Sequence, residues 1–145
     1  MNKITDTALT RGRVKIMAYN AQGELIEFRT GPNLIVNGGR AAVAAALAGQ
    51  ADQEITALGF GEGGAPAQPT DTGLTSPISK PLISVQASAN SVEFQAELDT
   101  TEGNGTTFRE VGLFTQAGDL FARHVIGAFD KTNTVRLLVV WTIYS

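Results

Sequence analysis

The sequence has no cysteine among its 145 residues. This absence excludes a disulfide framework and any zinc or iron–sulfur site that is held by cysteine thiolates. Neither sign of charge dominates, because 11 Lys and Arg residues stand against 14 Asp and Glu residues and leave a net charge of −3. A chain of this charge has no general attraction to nucleic acid or to anionic lipid. We therefore expect no nucleic-acid partner and no membrane partner.

Long apolar runs are also missing. The longest, residues 41–48 and 137–141, are far shorter than the stretch of about 20 apolar residues that spans a bilayer as a helix. The first 15 residues contain no apolar segment of the kind that forms the centre of a secretory signal. The sequence therefore predicts neither a membrane span nor a secretory leader.

Groups for acid–base chemistry are few. His124 is the single histidine, and no nucleophile or orienting acid stands near it at a fixed spacing, so we interpret it as a structural residue. Residues 34–40 and the glycine-rich residues 59–64 do not match a phosphate-binding motif in its required context. The acidic residues lack the spacing of a calcium loop. We predict no catalytic residue, no cofactor and no metal, and an enzyme is the last alternative.

One segment carries a helix pattern. Residues 39–48 are rich in alanine, the best helix former. Asn37 is a suitable N-cap, and Gly49 can take the left-handed conformation that ends a helix. We place the α-helix at about residues 38–48. Because its side chains are almost all small, we expect it to lie close against one face of a β-sheet.

The rest of the chain shows strand patterns separated by turns. Alternation of apolar and polar residues, bounded by Gly, Pro, Asn and Asp, predicts eight or nine strands. Short turns favour antiparallel pairing, so we predict a mainly β protein, an antiparallel β-sandwich with one α-helix packed on the sheet. We expect a single domain over residues 1–145, with an N-terminal arm and hairpin (1–30) and a sandwich core (31–145). The predicted strands are residues 13–19, 24–29, 54–60, 82–87, 91–98, 107–115, 120–126 and 134–144, with a short edge segment between Pro77 and Pro81.

The last predicted strand, residues 134–144, is apolar on both faces. Its odd positions, which include Trp141, form one apolar face, and its even positions include Leu138, Val140 and Tyr144. Such a strand is central in a sandwich, or it faces the helix on one side and a partner subunit on the other. Both alternatives are compatible with the pattern.

The longest segment without a helix or strand pattern is residues 61–74, in which Gly, Pro, Thr and Asp predominate. A loop of this length in a compact domain indicates a contact surface or mobility. We interpret it as a loop that reaches toward a neighbouring subunit.

Glu110 lies between apolar residues in a predicted strand. The simpler interpretation is a charge that points to solvent. The alternative is a buried or interfacial carboxylate that accepts hydrogen bonds from backbone N–H groups or from an arginine such as Arg123 or Arg136. We retain Glu110 as a candidate structural carboxylate.

Several short motifs occur in a characteristic order. They are NLIVNGG (33–39), ITALGFG (55–61), TDTGL (70–74), EVGLF (110–114), LFAR (120–123), KT (131–132) and WTI (141–143). In this order they resemble a domain family of tailed-bacteriophage structural proteins, found in tail-fibre and related tail or neck proteins. The resemblance covers about residues 30–145.

The resemblance implies a non-enzymatic virion protein, assembled in the host cytoplasm, that is a homo-oligomeric tail, neck or baseplate component or a fibre-attachment adaptor. Fibre-type proteins are commonly trimers, so we expect a trimer that also contacts other virion proteins. Because the chain stops at Ser145, we expect no receptor-binding tip. The hairpin at residues 13–29 lies outside the resemblance, and we expect it to dock on a neighbouring virion protein. The candidate contact residues are Leu138, Val140 and Tyr144 of the last strand, and Gly61, Glu62, Pro66, Pro69, Asp71 and Leu74 of the loop.

Two alternatives stay open from the sequence. A capsid decoration (cement) protein is also small, free of cysteine and rich in β-structure. A carbohydrate-binding module would need a platform of exposed aromatic residues. The aromatic residues to consider are Tyr19, Phe60, Trp141 and Tyr144.

Overall fold

The computed structural model describes residues 11–144, which form ten strands and one helix. In chain order the elements are β1 (Gly12–Tyr19), β2 (Leu25–Pro32), β3 (Leu34–Ile35), α1 (Asn37–Leu47), β4 (Ile55–Gly61), β5 (Ile78–Pro81), β6 (Ser84–Ala87), β7 (Ser91–Leu98), β8 (Thr107–Thr115), β9 (Leu120–Asp130) and β10 (Arg136–Tyr144).

The strands form two five-stranded sheets. Sheet A has the order β2-β1-β10-β7-β6, and sheet B has the order β3-β9-β8-β4-β5. Neighbouring strands pair antiparallel in both sheets. The inner faces of the sheets share one apolar core, so the predicted β-sandwich with one helix is confirmed. The largest apolar side chains that are fully buried in it are Trp141, Phe60, Phe108, Leu58, Leu98, Leu113 and Leu137.

The β1–β2 hairpin is an integral part of sheet A. Strand β1 pairs along its length with β10, and Val14 lies opposite Trp141. Val14 and Ile16 are buried in the shared core. The predicted division into an arm (1–30) and a sandwich core (31–145) therefore does not match the sheet, because β1 supplies core side chains from within the arm. Residues 1–10 of that arm lie outside the described part of the chain.

Helix α1 packs closely on β9. Its buried residues are Gly39 and Ala42, and a Cβ atom at Gly39 would lie 2.1 Å from the carbonyl oxygen of Phe121. Only a residue without a side chain allows this approach. The predicted N-cap Asn37 is wrong, because extended Val36 precedes the helix without a side-chain cap. Gly49 follows the helix with a φ of +81°, as predicted.

Strand β10 is the central strand of sheet A. Its inner residues Leu137, Val139 and Trp141 are fully buried. On the opposite, outer face Leu138 and Val140 are only half-buried. Both faces are apolar, but the described part of the chain fully covers only the inner face.

Candidate functional site

Two glycines leave a shallow trench on the outer face of sheet B. Gly59 of β4 lies directly opposite Gly112 of β8. A Cβ atom at Gly59 would approach Leu74 to 2.9 Å, and one at Gly112 would approach Leu74 to 3.2 Å. The Leu74 side chain therefore fills the space that the two missing side chains leave. Through this contact, the end of the loop at residues 61–74 packs on sheet B.

Glu110 lies beside this trench with only 1% of its surface exposed. Its Oε2 atom accepts hydrogen bonds from the backbone N–H groups of Gly63 and Thr75, both at 2.7 Å. Its Oε1 atom accepts a hydrogen bond from Nε of Arg123 at 2.8 Å. The carboxylate thus connects strand β8 to both ends of the loop. Burial without solvent is tolerated because each oxygen has a donor.

Arg123 extends the same network toward the middle of the loop. Its Nη1 atom donates to Oδ2 of Asp71 at 3.0 Å, and its Nη2 atom donates to the carbonyl oxygen of Gly63 at 3.3 Å. Asp71 also accepts a hydrogen bond from the backbone N–H of Gln68. One buried guanidinium therefore lies between two carboxylates, a strongly held arrangement for a polar cluster. We call Glu110, Arg123 and Asp71 the loop anchor.

The loop at residues 61–74 is folded back on its own domain, which differs from the predicted reaching loop. Gly61 is buried as the last residue of β4, opposite Glu110, so we leave it out of the contact surface. Asp71 and Leu74 make the internal contacts described above. The carbonyl oxygen of Pro69 accepts a hydrogen bond from the N–H of Asn37 at the start of α1. Of the predicted contact residues in the loop, Glu62, Pro66 and Pro69 are exposed.

The outer face of sheet A carries an apolar row across three strands. Leu138 of β10 lies opposite Met17 of β1, and Met17 lies opposite Phe28 of β2. We call these three residues the outer row. Val140 lies beside it, opposite Lys15. Side chains on directly opposed residues of one face contact each other, so the row forms a continuous apolar strip.

The edge strand β2 adds exposed apolar surface to this strip. Leu25, Ile26 and Phe28 are each more than half exposed. These residues were not among the contact residues predicted from the sequence, although the alternation within the predicted strand at 24–29 separates Phe28 from its polar neighbours. Tyr144, at the far end of β10, is also exposed, and the guanidinium of Arg11 lies 6.0 Å from its ring centre.

His124 has a structural environment. Its Nδ1 atom lies 2.7 Å from the carbonyl oxygen of Pro32, so the neutral ring donates from Nδ1. The ring rests on Gly31, where a Cβ atom would lie 2.5 Å away. Burial lowers the pKa of His124, and the hydrogen bond to Pro32 opposes that shift only in part. The residue joins β9 to the end of β2.

Lys131 is a buried cation that was not predicted from the sequence as a site residue. It is 1% exposed, and its Nζ atom donates to Oδ1 of Asn104 and to the carbonyl oxygen of Thr132, both at 2.9 Å. Burial lowers the pKa of Lys131, while the charges of Asp99 and Glu102 oppose this shift. Its position in the motif KT (131–132) is the sequence feature that could have identified it. The contacts close the β7–β8 loop against the β9–β10 turn.

Within residues 11–144 no group of three or more His, Asp or Glu side chains is arranged to hold a metal ion. No helix in that part of the chain is long and apolar enough to cross a membrane. Two of the four aromatic residues considered for a carbohydrate platform, Phe60 and Trp141, are fully buried.

Comparison with known proteins gives one match. No curated protein matches the chain, and no solved structure matches it. A family model described as "Phage tail-collar fibre protein, N-terminal" matches residues 32–137. The match includes the glycine trench, the loop anchor and Lys131, and the family is a structural component of phage tails. The chain therefore belongs to the phage tail-collar fibre protein N-terminal family and is a structural protein of the phage tail.

Proposed function

We propose that this chain is a homo-oligomeric fibre-attachment adaptor of the phage tail, that it assembles as a trimer through the outer face of sheet A, and that it presents its anchored loop to another virion protein. The observation that carries the proposal is the outer row. Phe28, Met17 and Leu138 form an apolar strip on the outer side of sheet A, which no other element within residues 11–144 covers.

The central position of β10 strengthens this interpretation. Leu138 and Val140 lie in the middle of a five-stranded sheet, where an outer face that stays in water normally carries polar residues. A contiguous apolar patch on a soluble domain marks an interaction surface. Burial against a second copy would remove this area from water, at about 25 cal/mol per Å² of apolar surface.

The anchored loop suits contact with a different protein. Glu62, Pro66 and Pro69 are exposed, while the loop anchor and Leu74 hold the segment around them in one conformation. A loop that is already ordered loses little conformational entropy when it binds. We therefore assign these exposed positions to a contact with a neighbouring virion protein.

The test is the mass of the protein in solution, measured by light scattering after size exclusion. We expect the wild-type chain to be a trimer. The double variant Leu138→Asp/Val140→Asp should be a monomer with a nearly unchanged unfolding temperature, because both side chains are half-buried on a surface. The control Ala117→Asp/Asn133→Asp adds the same charge on two exposed turns and should remain a trimer.

Two results would contradict the proposal. A monomeric wild-type chain at high concentration would exclude self-assembly without a template. Retained assembly with a lowered unfolding temperature in the Leu138→Asp/Val140→Asp variant would make these residues part of the fold and not of a subunit contact.

A further inference from the structure

An open apolar groove lies on the opposite edge of the sandwich from β2. It runs between α1, β4 and the β6–β7 pair and has a volume of about 460 Å³. We call it the α1–β6 groove. Its apolar lining includes Val43, Leu47, Ile55, Val85, Phe94 and Phe121.

The groove is a part of the sandwich interior that residues 11–144 leave uncovered. Val85 lies opposite Phe94 and therefore points to the same face of sheet A. Phe94 is 6% exposed, whereas Val85 is 55% exposed. Leu47, on the helix side of the groove, is 86% exposed. No other element within residues 11–144 covers this core-facing valine and this helix leucine, so both are open to contact with a partner.

The charged side chain among the described residues that line the groove is acidic: it is Glu54. The neighbouring Glu93 of β7 lies opposite Gln86 and points to the outer face of sheet A, away from the groove. None of the described residues that line the groove is Lys or Arg. A partner with apolar side chains flanked by basic ones would match this surface in both respects.

The β1–β2 hairpin of the same chain has that combination. Phe28 and Leu25 are exposed apolar residues on β2. Arg13 and Lys15 are exposed on the neighbouring strand β1, where Lys15 lies opposite Thr30 and two positions from Met17. Strands β6 and β7 carry no basic residue, so Glu54 is the charge that the groove presents to this hairpin.

We propose that the α1–β6 groove of one copy receives the outer face of the β1–β2 hairpin of a second copy, with Phe28 and its apolar neighbours in the groove and the basic residues of β1 near Glu54. This inference rests on the proposed self-assembly and names the surface that the outer row meets.

The charges of the two surfaces favour the hairpin-to-groove contact over a contact between two hairpins or between two grooves. A contact between two hairpins would bring Arg13 and Lys15 of both copies together, and a contact between two grooves would do the same for Glu54. Like charges in contact oppose association. The hairpin-to-groove contact joins opposite charges. Because it joins two different surfaces, it forms a closed ring of copies when the rotation that relates one copy to the next returns to the first.

The experiment uses two variants that each damage one half of the contact. Phe28→Asp removes the apolar anchor of the hairpin, and Val85→Asp places a charge in the groove; both sites are more than half exposed, so the fold should persist. Each should raise the dissociation constant by roughly 30-fold or more, as for the loss of a central interface anchor. Leu47→Asp is a second groove variant, and Asn133→Asp is the control.

Mixing the variants tests the direction of the contact. A Phe28→Asp copy still has an intact groove, and a Val85→Asp copy still has an intact hairpin. We expect the two monomeric variants to form a one-to-one dimer, because the intact hairpin of the Val85→Asp copy can enter the intact groove of the Phe28→Asp copy. A mixture that remains monomeric would overturn the proposal.

The outcomes also separate this inference from the proposed function. If Leu138→Asp/Val140→Asp disrupts the wild-type oligomer while Val85→Asp and Leu47→Asp leave it intact, self-assembly through sheet A stands and the groove contact is wrong. A monomeric wild-type chain would overturn both. Circular dichroism and the unfolding temperature of each variant confirm that it is folded before its mass is interpreted.

Discussion

Arg123 and Glu110 form an ion pair of 2.8 Å in which the two side chains are only 5% and 1% exposed. The pair joins neighbouring strands of sheet B and, through the other atoms of both groups, fixes the loop that follows β4. The net contribution of such a buried charge pair to stability is small. Removal of one partner is much more costly, because the other charge then stays buried without a counter-charge. The Arg123–Glu110 pair therefore holds the loop at residues 61–74 in one conformation.

Glu110→Gln should lower the free energy of unfolding by about 3 kcal/mol, because Arg123 would remain buried with only the partly exposed Asp71 as a counter-charge. Chemical denaturation measures the change. The exposed Glu24→Gln is the matched control and should change stability little. The double variant Glu110→Gln/Arg123→Met should cost less than the sum of its single variants. Additive costs would mean that the two groups do not act as a pair.

Asp71→Ala should loosen the loop without unfolding the domain. The side chain of Asp71 is 25% exposed, so loss of its ion pair should cost about 1 kcal/mol or less. The backbone N–H of Gln68 loses its acceptor, and we expect its hydrogen exchange to become faster. The amides of Gly63 and Thr75 keep their bonds to Glu110 and serve as internal references. Equal acceleration at all three amides would contradict separate roles for the two carboxylates.

Gly39→Ala should destabilise the protein by about 1–3 kcal/mol, the usual range for overpacking. The new methyl group would meet the carbonyl oxygen of Phe121 at 2.1 Å, and backbone cannot move aside as a flexible side chain can. Gly73→Ala is the control, because a Cβ atom there meets nothing within 4 Å. Thermal unfolding of both variants gives the comparison. Equal unfolding temperatures would show that α1 shifts on β9 without cost.

The stability of the protein should fall as the solution becomes acidic below pH 6.5. Burial holds the pKa of His124 below its ordinary value of 6.5. At a pH between these two values the imidazole is protonated in the unfolded chain and neutral in the folded chain. The stabilising difference is fully present above pH 6.5 and is lost as the pH falls through the folded-state pKa.

Denaturation at pH 7.5 and pH 5.5 measures this effect. His124→Gln keeps a donor for the carbonyl of Pro32 and removes the titrating ring, so its loss of stability between the two pH values should be smaller than that of the wild-type chain. His124 is the single histidine, which makes the comparison specific. An identical loss in both proteins would assign the pH dependence to other groups.

Local patterns predicted much of the fold. Alternation along each strand determines which residues share a face, and it correctly put Trp141 and Leu138 on opposite faces of β10. The alanine-rich segment and Gly49 located the helix to within a residue or two of its observed ends. Pro77 and Pro81 placed β5 at a sheet edge. These properties follow from the period of the backbone and from single-residue conformational preferences, which a sequence displays directly.

The sequence left open whether Glu110 points to solvent or is buried against backbone N–H groups or an arginine such as Arg123 or Arg136. Only the tertiary structure decided that it is buried and paired with Arg123. Arg123 is 13 residues away along the chain, and the N–H groups of Gly63 and Thr75 are 47 and 35 residues away. They meet because β4, β8 and β9 are neighbours in one sheet. The same order of strands placed the β1–β2 hairpin within sheet A and folded the predicted reaching loop back on the domain.

The sequence by itself determined the mainly β class, the helix and the two apolar faces of the last strand, because periodicity and composition are local. Tertiary structure alone decided which apolar face is covered, where the outer row continues onto Phe28, and that Val85 is left open beside α1. These are properties of strands brought together over long sequence separations, and the order of the strands in the two sheets sets them.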